Sequence, residues 1–123
     1  MNTLLLLGAI FMFLAVALGA FGAHALKNKL SEDQLKVYQT GIQYHMAHSL
    51  ALLILGIMAH ILPTASNTIV MAGWFICTGI VLFSGSLYVL SLTGIRKLGA
   101  ITPMGGLFFL AGWVVTAIAI INL

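Results

Sequence analysis

TLLLLGAIFMFLAVALGAFGA, residues 3–23, has no charged side chain from end to end. A helix needs about 20 apolar residues to cross the hydrocarbon core of a bilayer, so this stretch is long enough to span a membrane. The whole chain has the same character: 62% of its 123 residues are hydrophobic, 6% are charged, and the mean hydropathy is +1.16. In soluble domains about a quarter of the residues are charged. The composition therefore excludes a soluble domain and indicates an integral membrane protein.

Three further apolar segments follow the first, separated by short polar connectors. The sequence predicts an all-α integral membrane four-helix bundle, up-and-down, as a single transmembrane domain over residues 1–123, with spans at approximately 3–24, 40–62, 68–92 and 102–122. Ser31 and Gln34 have the spacing of a capping box, which predicts that the second helix begins before the membrane with an interfacial, amphipathic start. Pro63 ends that helix, and Pro103 fits the first turn of the fourth.

Every charged side chain lies in the first or the third connector. These residues are Lys27, Lys29, Glu32, Asp33, Lys36, Arg96 and Lys97. In an up-and-down bundle the two connectors share one side of the membrane, and the opposite side then has no basic residue. The positive-inside rule places the charged side in the cytoplasm and both termini outside, an N-out and C-out orientation. A signal peptide cleaved at AHA, residues 23–25, is disfavoured because the apolar run is too long and no basic n-region precedes it.

No Asp, Glu, Lys or Arg lies within a predicted span. This counts against a proton-coupled exporter, which needs a membrane-embedded carboxylate, and against acid–base catalysis, so the chain is predicted not to be an enzyme. His45 and His48 lie on one side of their helix by spacing, which leaves open a metal or haem site that includes His24. Because no thiolate or carboxylate accompanies them, the favoured interpretation is hydrogen bonding between helices, without a metal or a cofactor.

The remaining polar side chains of the spans are concentrated toward the charged side. They predict a pocket in the cytoplasmic leaflet formed by His24, Tyr38, Tyr44, His48, Ser84, Tyr88 and Thr102, with a basic rim of Lys27, Lys29, Arg96 and Lys97. Such a pocket could hold an anionic lipid headgroup. The alternative is an aromatic belt with lysines that extend to the interface, and the residue types alone fit both interpretations.

Small residues mark the predicted helix contacts, because close packing drives much of the association between helices in lipid. Those in the first span are Ala15, Gly19 and Ala23, and those in the fourth are Gly105 and Gly112. They predict packing within the bundle. They are also consistent with a homo-oligomer, since a four-helix unit this thin has more small-residue faces than it can cover.

Four motifs carry a resemblance to a known family. They are GAFGAHALK (19–27), YQTGIQYHMAHSLALL (38–53), LFSGSLYVLSLTG (82–94) and ITPMGGLFFLAGW (101–113). The chain resembles the YgdD/YwdK-type family of small membrane proteins over nearly its whole length. The resemblance implies a four-span protein of bacterial inner membranes, in a family long classed as a domain of unknown function. Position 45 in the family pattern often has Gln, so the resemblance counts against a paired-histidine metal site.

These observations predict a small multi-pass protein of the bacterial cytoplasmic (inner) membrane with a structural or lipid-associated role. Its expected partners are membrane lipids, anionic ones among them, and further copies of the chain. Nucleic acid is not an expected partner, because the chain has only five basic residues against two acidic ones and the basic residues do not form a continuous run. A small oligomeric channel or transporter is the alternative function, and it requires a continuous polar path. A haem- or metal-binding membrane protein is the third.

Overall fold

Four long helices form the protein in the computed structural model, which describes residues 3–123. Spans 1, 2 and 3 are Thr3–Leu26, Glu32–Ile61 and Ser66–Thr93. Span 4 is the helix Thr102–Ile121, preceded by a 3-10 turn at Arg96–Ala100. The prediction of an all-helical protein with four segments long and apolar enough to cross a membrane is confirmed. Met1 and Asn2, which belong to the predicted domain, lie outside the described residues.

The helix ends follow the local signals in the sequence. The Gln34 backbone N–H donates to the Ser31 hydroxyl over 3.2 Å, and the Ser31 backbone N–H donates to the Gln34 side chain over 3.0 Å. This is the reciprocal capping box expected at the start of span 2. Span 2 ends just before Pro63, and Pro103 lies in the first turn of span 4. Gly94, with φ of 72°, ends span 3 in the left-handed conformation that favours glycine.

Spans 2 and 3 form the middle of the molecule. Span 1 packs mainly on span 2 and span 4 mainly on span 3. Residues near the start of one span meet residues near the end of the next, as where Gly8 lies against Leu53, so consecutive spans run antiparallel. Span 1 is the least buried of the four. The two central helices therefore carry most of the contacts that fix the bundle.

The two halves of the bundle differ in what they bury. In the half farthest from the charged connectors, the fully buried side chains are apolar, among them Leu4, Leu52 and Ile69. A cluster of such residues joins all four spans there. The half next to the charged connectors buries His45, Ser84 and further polar groups instead. We call these the uncharged half and the charged half.

The small residues predicted to pack helices lie in different environments. Ala15, Gly105 and Gly112 are buried. Gly19 is half-buried, and a Cβ there would lie 3.6 Å from Ile42, which is an ordinary contact. Ala23 is exposed, so it makes no buried contact within this chain. Gly22 packs there instead, against the ring of Tyr38 on span 2.

Candidate functional site

A set of hydrogen-bonded side chains connects spans 2 and 3 in the charged half. Its members are Tyr38, Gly41 and His45 on span 2 with Ser84 and Tyr88 on span 3, and we call it the polar hub. The Ser84 hydroxyl donates to the Gly41 carbonyl over 2.8 Å. His45 Nδ1 lies 2.8 Å from the Tyr88 hydroxyl. Both bonds join residues far apart in sequence, so they hold the two central helices in one register.

The polar hub also reaches span 1. The Tyr38 hydroxyl donates to the carbonyl of Leu18. The Tyr38 ring lies against Gly22, and it is 5.2 Å from the Tyr88 ring between centroids. A Cβ at Gly41 would lie 2.8 Å from the Tyr88 ring, so glycine is required there for the close approach. Three helices thus meet around the first turns of span 2.

Two of the spans change to π-helical geometry where they meet this part of span 2. The turn Gly22–Leu26 ends span 1, and the turn Ile80–Ser84 interrupts span 3. Gly22 lies against Tyr38, and Ser84 bonds to Gly41. Single π-helical turns often occur at functional sites, because they re-aim backbone and side chains. Both turns here direct a residue into the polar hub.

His48 belongs to a separate group of rings, which we call the aromatic cluster. Its members are Tyr44, His48, Phe83, Phe109 and Trp113. His48 stacks on Phe109 with ring centroids 3.7 Å apart. Its Nδ1 lies 2.8 Å from the Tyr44 carbonyl, and the Trp113 indole N–H donates to its Nε2 over 3.1 Å. A carbonyl only accepts, so Nδ1 carries the proton and Nε2 the lone pair. His48 is therefore the neutral Nδ1–H tautomer, with both nitrogens engaged.

The histidines of span 2 do not act as a pair. His45 bonds to span 3 and places its ring edge-on to Phe11 of span 1, whereas His48 bonds to span 4. His24 is exposed at the end of span 1. No group of three or more His, Cys, Asp or Glu that could hold a metal is found among residues 3–123. A metal site with three such ligands is therefore not formed by the described residues.

The predicted pocket residues separate into several places. Tyr38, Ser84 and Tyr88 lie in the polar hub, and Tyr44 and His48 in the aromatic cluster. Thr102 lies elsewhere, with its hydroxyl 2.6 Å from that of Ser86. The buried hydroxyls and imidazoles of the charged half are bonded to nearby partners, apart from the unpartnered Nε2 of His45, and they do not line one shared cavity. The predicted pocket does not include His45. Its spacing could have indicated it, because His45 follows Tyr38 by seven residues and so lies on the same inward face of the helix.

Open space lies beside the polar hub, in a groove between spans 1 and 2. This span 1–2 groove has a volume of about 230 Å³. One wall is Gly19, Gly22 and Ala23, and the other includes Tyr38, Gln39 and Gln43. A second groove, of about 410 Å³, runs along the aromatic cluster between spans 2 and 4. Tyr44 and Trp113 are exposed along it.

Basic residues stand at the end of the span 1–2 groove nearest the connector. Lys27 follows the groove residue Ala23 by one helical turn, and Lys36 precedes the groove residue Gln39 by one turn. Both lysines are exposed. The groove is thus uncharged along its length and has a cation beyond each of its two walls, with Glu32 one turn farther out than Lys36 on span 2.

The fold has four helices long and apolar enough to span a membrane, and hydrogen bonds connect these helices in the charged half. Residues 18–106 match the family model described as Protein of unknown function (DUF423). The UPF0382 membrane protein YwdK of Bacillus subtilis (strain 168) is 48% identical over 122 residues, which cover 99% of this chain and 98% of that protein. The UPF0382 membrane protein SH2409 of Staphylococcus haemolyticus is 46% identical over 119 residues, covering 97% and 95%.

The chain therefore belongs to the DUF423 family of membrane proteins, and the resemblance to the YgdD/YwdK-type family is confirmed. The names of these relatives state a membrane protein and no activity. No solved structure matches the chain.

Proposed function

We propose that this protein is a structural component of the bacterial cytoplasmic membrane that binds an anionic phospholipid in the span 1–2 groove. The observation that carries the proposal is the groove itself, an open volume of about 230 Å³ between two membrane helices with a lysine beyond each wall. Phosphate groups of anionic lipids are attracted to such basic sites at the membrane surface. Acyl chains would continue along the apolar part of the groove.

The orientation belongs to the same proposal. All five basic residues are on the side of the connectors at residues 27–36 and 96–97. The positive-inside rule then places the groove in the cytoplasmic leaflet, with both termini outside. A cytoplasm-only reporter enzyme fused to the C-terminus should be inactive, whereas an outside-active reporter should work. The reverse result would move the lipid site to the other leaflet.

Two alternatives have less support. A channel needs a continuous polar path. The core of the uncharged half is apolar apart from Thr116, and in the described charged half the buried hydroxyls and imidazoles bond to neighbouring groups except at His45 Nε2. For a haem or metal, His48 offers no free nitrogen, since its Nε2 accepts from Trp113, and the unpartnered Nε2 of His45 is buried between helices. Both alternatives would require the helices to rearrange.

Native mass spectrometry with added dioleoylphosphatidylglycerol tests the proposal. We expect the wild type to retain this lipid in preference to zwitterionic dioleoylphosphatidylcholine. The double variant Lys27→Gln with Lys36→Gln should retain about thirtyfold less, since each surface cation contributes about 1 kcal/mol to binding an anionic lipid.

The matched control is Arg96→Gln with Lys97→Gln, which removes the same charge from the other connector. The control should bind like the wild type. Equal losses in the two double variants would show a general surface-charge effect and would contradict a site at the span 1–2 groove, as would the absence of any retained anionic lipid.

A further inference from the structure

We infer that the span 1–2 groove recognises the ester region of a diacyl phospholipid through the side-chain amides of Gln39 and Gln43. This inference rests on the proposed lipid site and names the chemical group that the site would recognise. The groove would then not distinguish phospholipids by the alcohol of their headgroups. The ligand class is a phospholipid with two acyl esters.

The two glutamines are placed alike. They are four residues apart on span 2, so they lie one above the other on the same helix face. Both are exposed and line the groove, and neither side-chain amide has a hydrogen-bond partner among residues 3–123. The Tyr38 hydroxyl, which also lines the groove, is already bonded to the Leu18 carbonyl. The free hydrogen-bond donors of this groove are therefore the two amides.

The order of groups along span 2 matches the order of groups along a phospholipid. Glu32 lies nearest the charged end of this helix face. From Lys36 inward, Gln39 follows one turn deeper and Gln43 another turn deeper. In a phospholipid the phosphate is outermost, the ester carbonyls lie next, and the acyl chains are deepest. A phosphate at the level of Lys36 thus brings the ester carbonyls to the level of the glutamines. An ester carbonyl accepts hydrogen bonds, and an amide N–H₂ group supplies two donors.

The opposite wall leaves room for this arrangement. Gly19 has no side chain, and the nearest group to a Cβ added there would be Ile42 at 3.6 Å, whereas the space beside Gly22 is filled by the Tyr38 ring. The glycerol backbone of a lipid can therefore approach span 1 closely while its carbonyls face span 2. A soluble glycerol phosphate would meet the lysines alone, because it has no ester carbonyl for Gln39 and Gln43.

The test combines ligand chemistry with substitution in the full-length protein. Native mass spectrometry would compare dioleoylphosphatidylglycerol with its diether analogue, which lacks both carbonyls, and with sn-glycerol 3-phosphate. The wild type should retain the diester about fivefold better than the diether and should not retain the soluble phosphate. Gln39→Leu with Gln43→Leu should lower diester binding about fivefold and leave diether binding unchanged, as expected for the loss of one or two hydrogen bonds.

Asn67→Leu removes an exposed amide at the other end of the bundle and is the control, expected to behave like the wild type. Equal binding of diester and diether would overturn the inference, and so would a loss of both lipids in the glutamine variant. If those results came with the expected loss in Lys27→Gln, Lys36→Gln, the proposed lipid site would stand without ester recognition. If no lipid were retained by any variant, both proposals would be wrong.

Discussion

The charged and uncharged halves of this small bundle are assembled by different interactions. In the charged half, Ser84 and Tyr88 of span 3 bond to Gly41 and His45 of span 2. In the uncharged half, apolar residues such as Leu52 and Ile69 fill the space between helices without hydrogen bonds between their side chains. Polar residues inside a membrane helix therefore need not line a path for ions or substrates. Here they fix helix register next to an open groove.

Substitutions at closely packed glycines should give the largest difference between the halves in the free energy of unfolding. A Cβ at Gly105 would lie 2.7 Å from Phe83 Cα, so Gly105→Ala has to separate two backbones. At Gly73, in the uncharged half, the added carbon would meet only the end of the Leu4 side chain, which can move. We expect Gly105→Ala to lower the free energy of unfolding by about 3 kcal/mol and Gly73→Ala by about 1 kcal/mol, the two ends of the range for overpacking.

Denaturation in detergent, followed by circular dichroism, measures both glycine variants. Gly106→Ala is the matched control, because its added carbon would be 3.9 Å from Phe83 and in ordinary contact. Equal destabilisation by Gly73→Ala and Gly105→Ala would contradict the distinction between backbone and side-chain contacts.

The His45–Tyr88 bond should show the next largest effect. Tyr88→Phe leaves both nitrogens of the buried His45 ring without a hydrogen-bond partner in the described part of the chain. We expect a loss of about 1 kcal/mol, above the average of about 0.6 kcal/mol for hydrogen bonds between membrane helices, because the buried His45 ring is left without a partner. A double-mutant cycle with His45→Leu should give a coupling energy of similar size.

Tyr44→Phe serves as the control for Tyr88→Phe, because Tyr44 is exposed and its hydroxyl has no partner among residues 3–123. Additive effects of Tyr88→Phe and His45→Leu would mean that the two side chains do not interact.

A smaller effect should distinguish a bond between helices from a bond within one helix. Ser84 donates to a carbonyl of another span, whereas Thr116 of the uncharged half donates to Gly112 of its own helix. Ser84→Ala should cost about 0.6 kcal/mol, and Thr116→Val should cost less. The same unfolding assay compares them, and a larger effect at Thr116 would reverse the assignment of roles to the two halves.

The smallest expected effect is confined to the His48 ring. Trp113→Phe removes the donor to His48 Nε2 and leaves the Nδ1 bond to the Tyr44 carbonyl intact. Nitrogen NMR in bilayers should therefore show His48 as the neutral Nδ1–H tautomer in both proteins, with a shifted Nε2 signal in the variant. A wild-type spectrum of the opposite tautomer would show that the aromatic cluster is arranged differently.

Local signals in the sequence predicted the helices well. The capping box at Ser31, the stop at Pro63 and the start near Pro103 depend on neighbouring residues, and all three lie at helix ends in the structure. The candidate site was harder to predict, because its bonds connect distant positions. His45 and Tyr88 are 43 residues apart, and His48 and Trp113 are 65 apart.

Helix rotation decides which buried side chain meets which. Spacing alone placed His45 and His48 on one side of span 2, yet they bond to different helices. The π-helical turn Ile80–Ser84, which directs Ser84 toward Gly41, has no marker in the local sequence that helical periodicity could reveal. The sequence therefore indicated in which half of the molecule polar side chains are buried, but not which of them pair.

A density map of the protein in phosphatidylglycerol nanodiscs would test most directly whether lipid binds in the span 1–2 groove and not in the polar hub. We predict phosphate density between Lys27 and Lys36, with chain density along the span 1–2 groove, and no density other than protein between His45, Ser84 and Tyr88. Lipid or solvent density within the polar hub, together with an empty groove, would contradict the account.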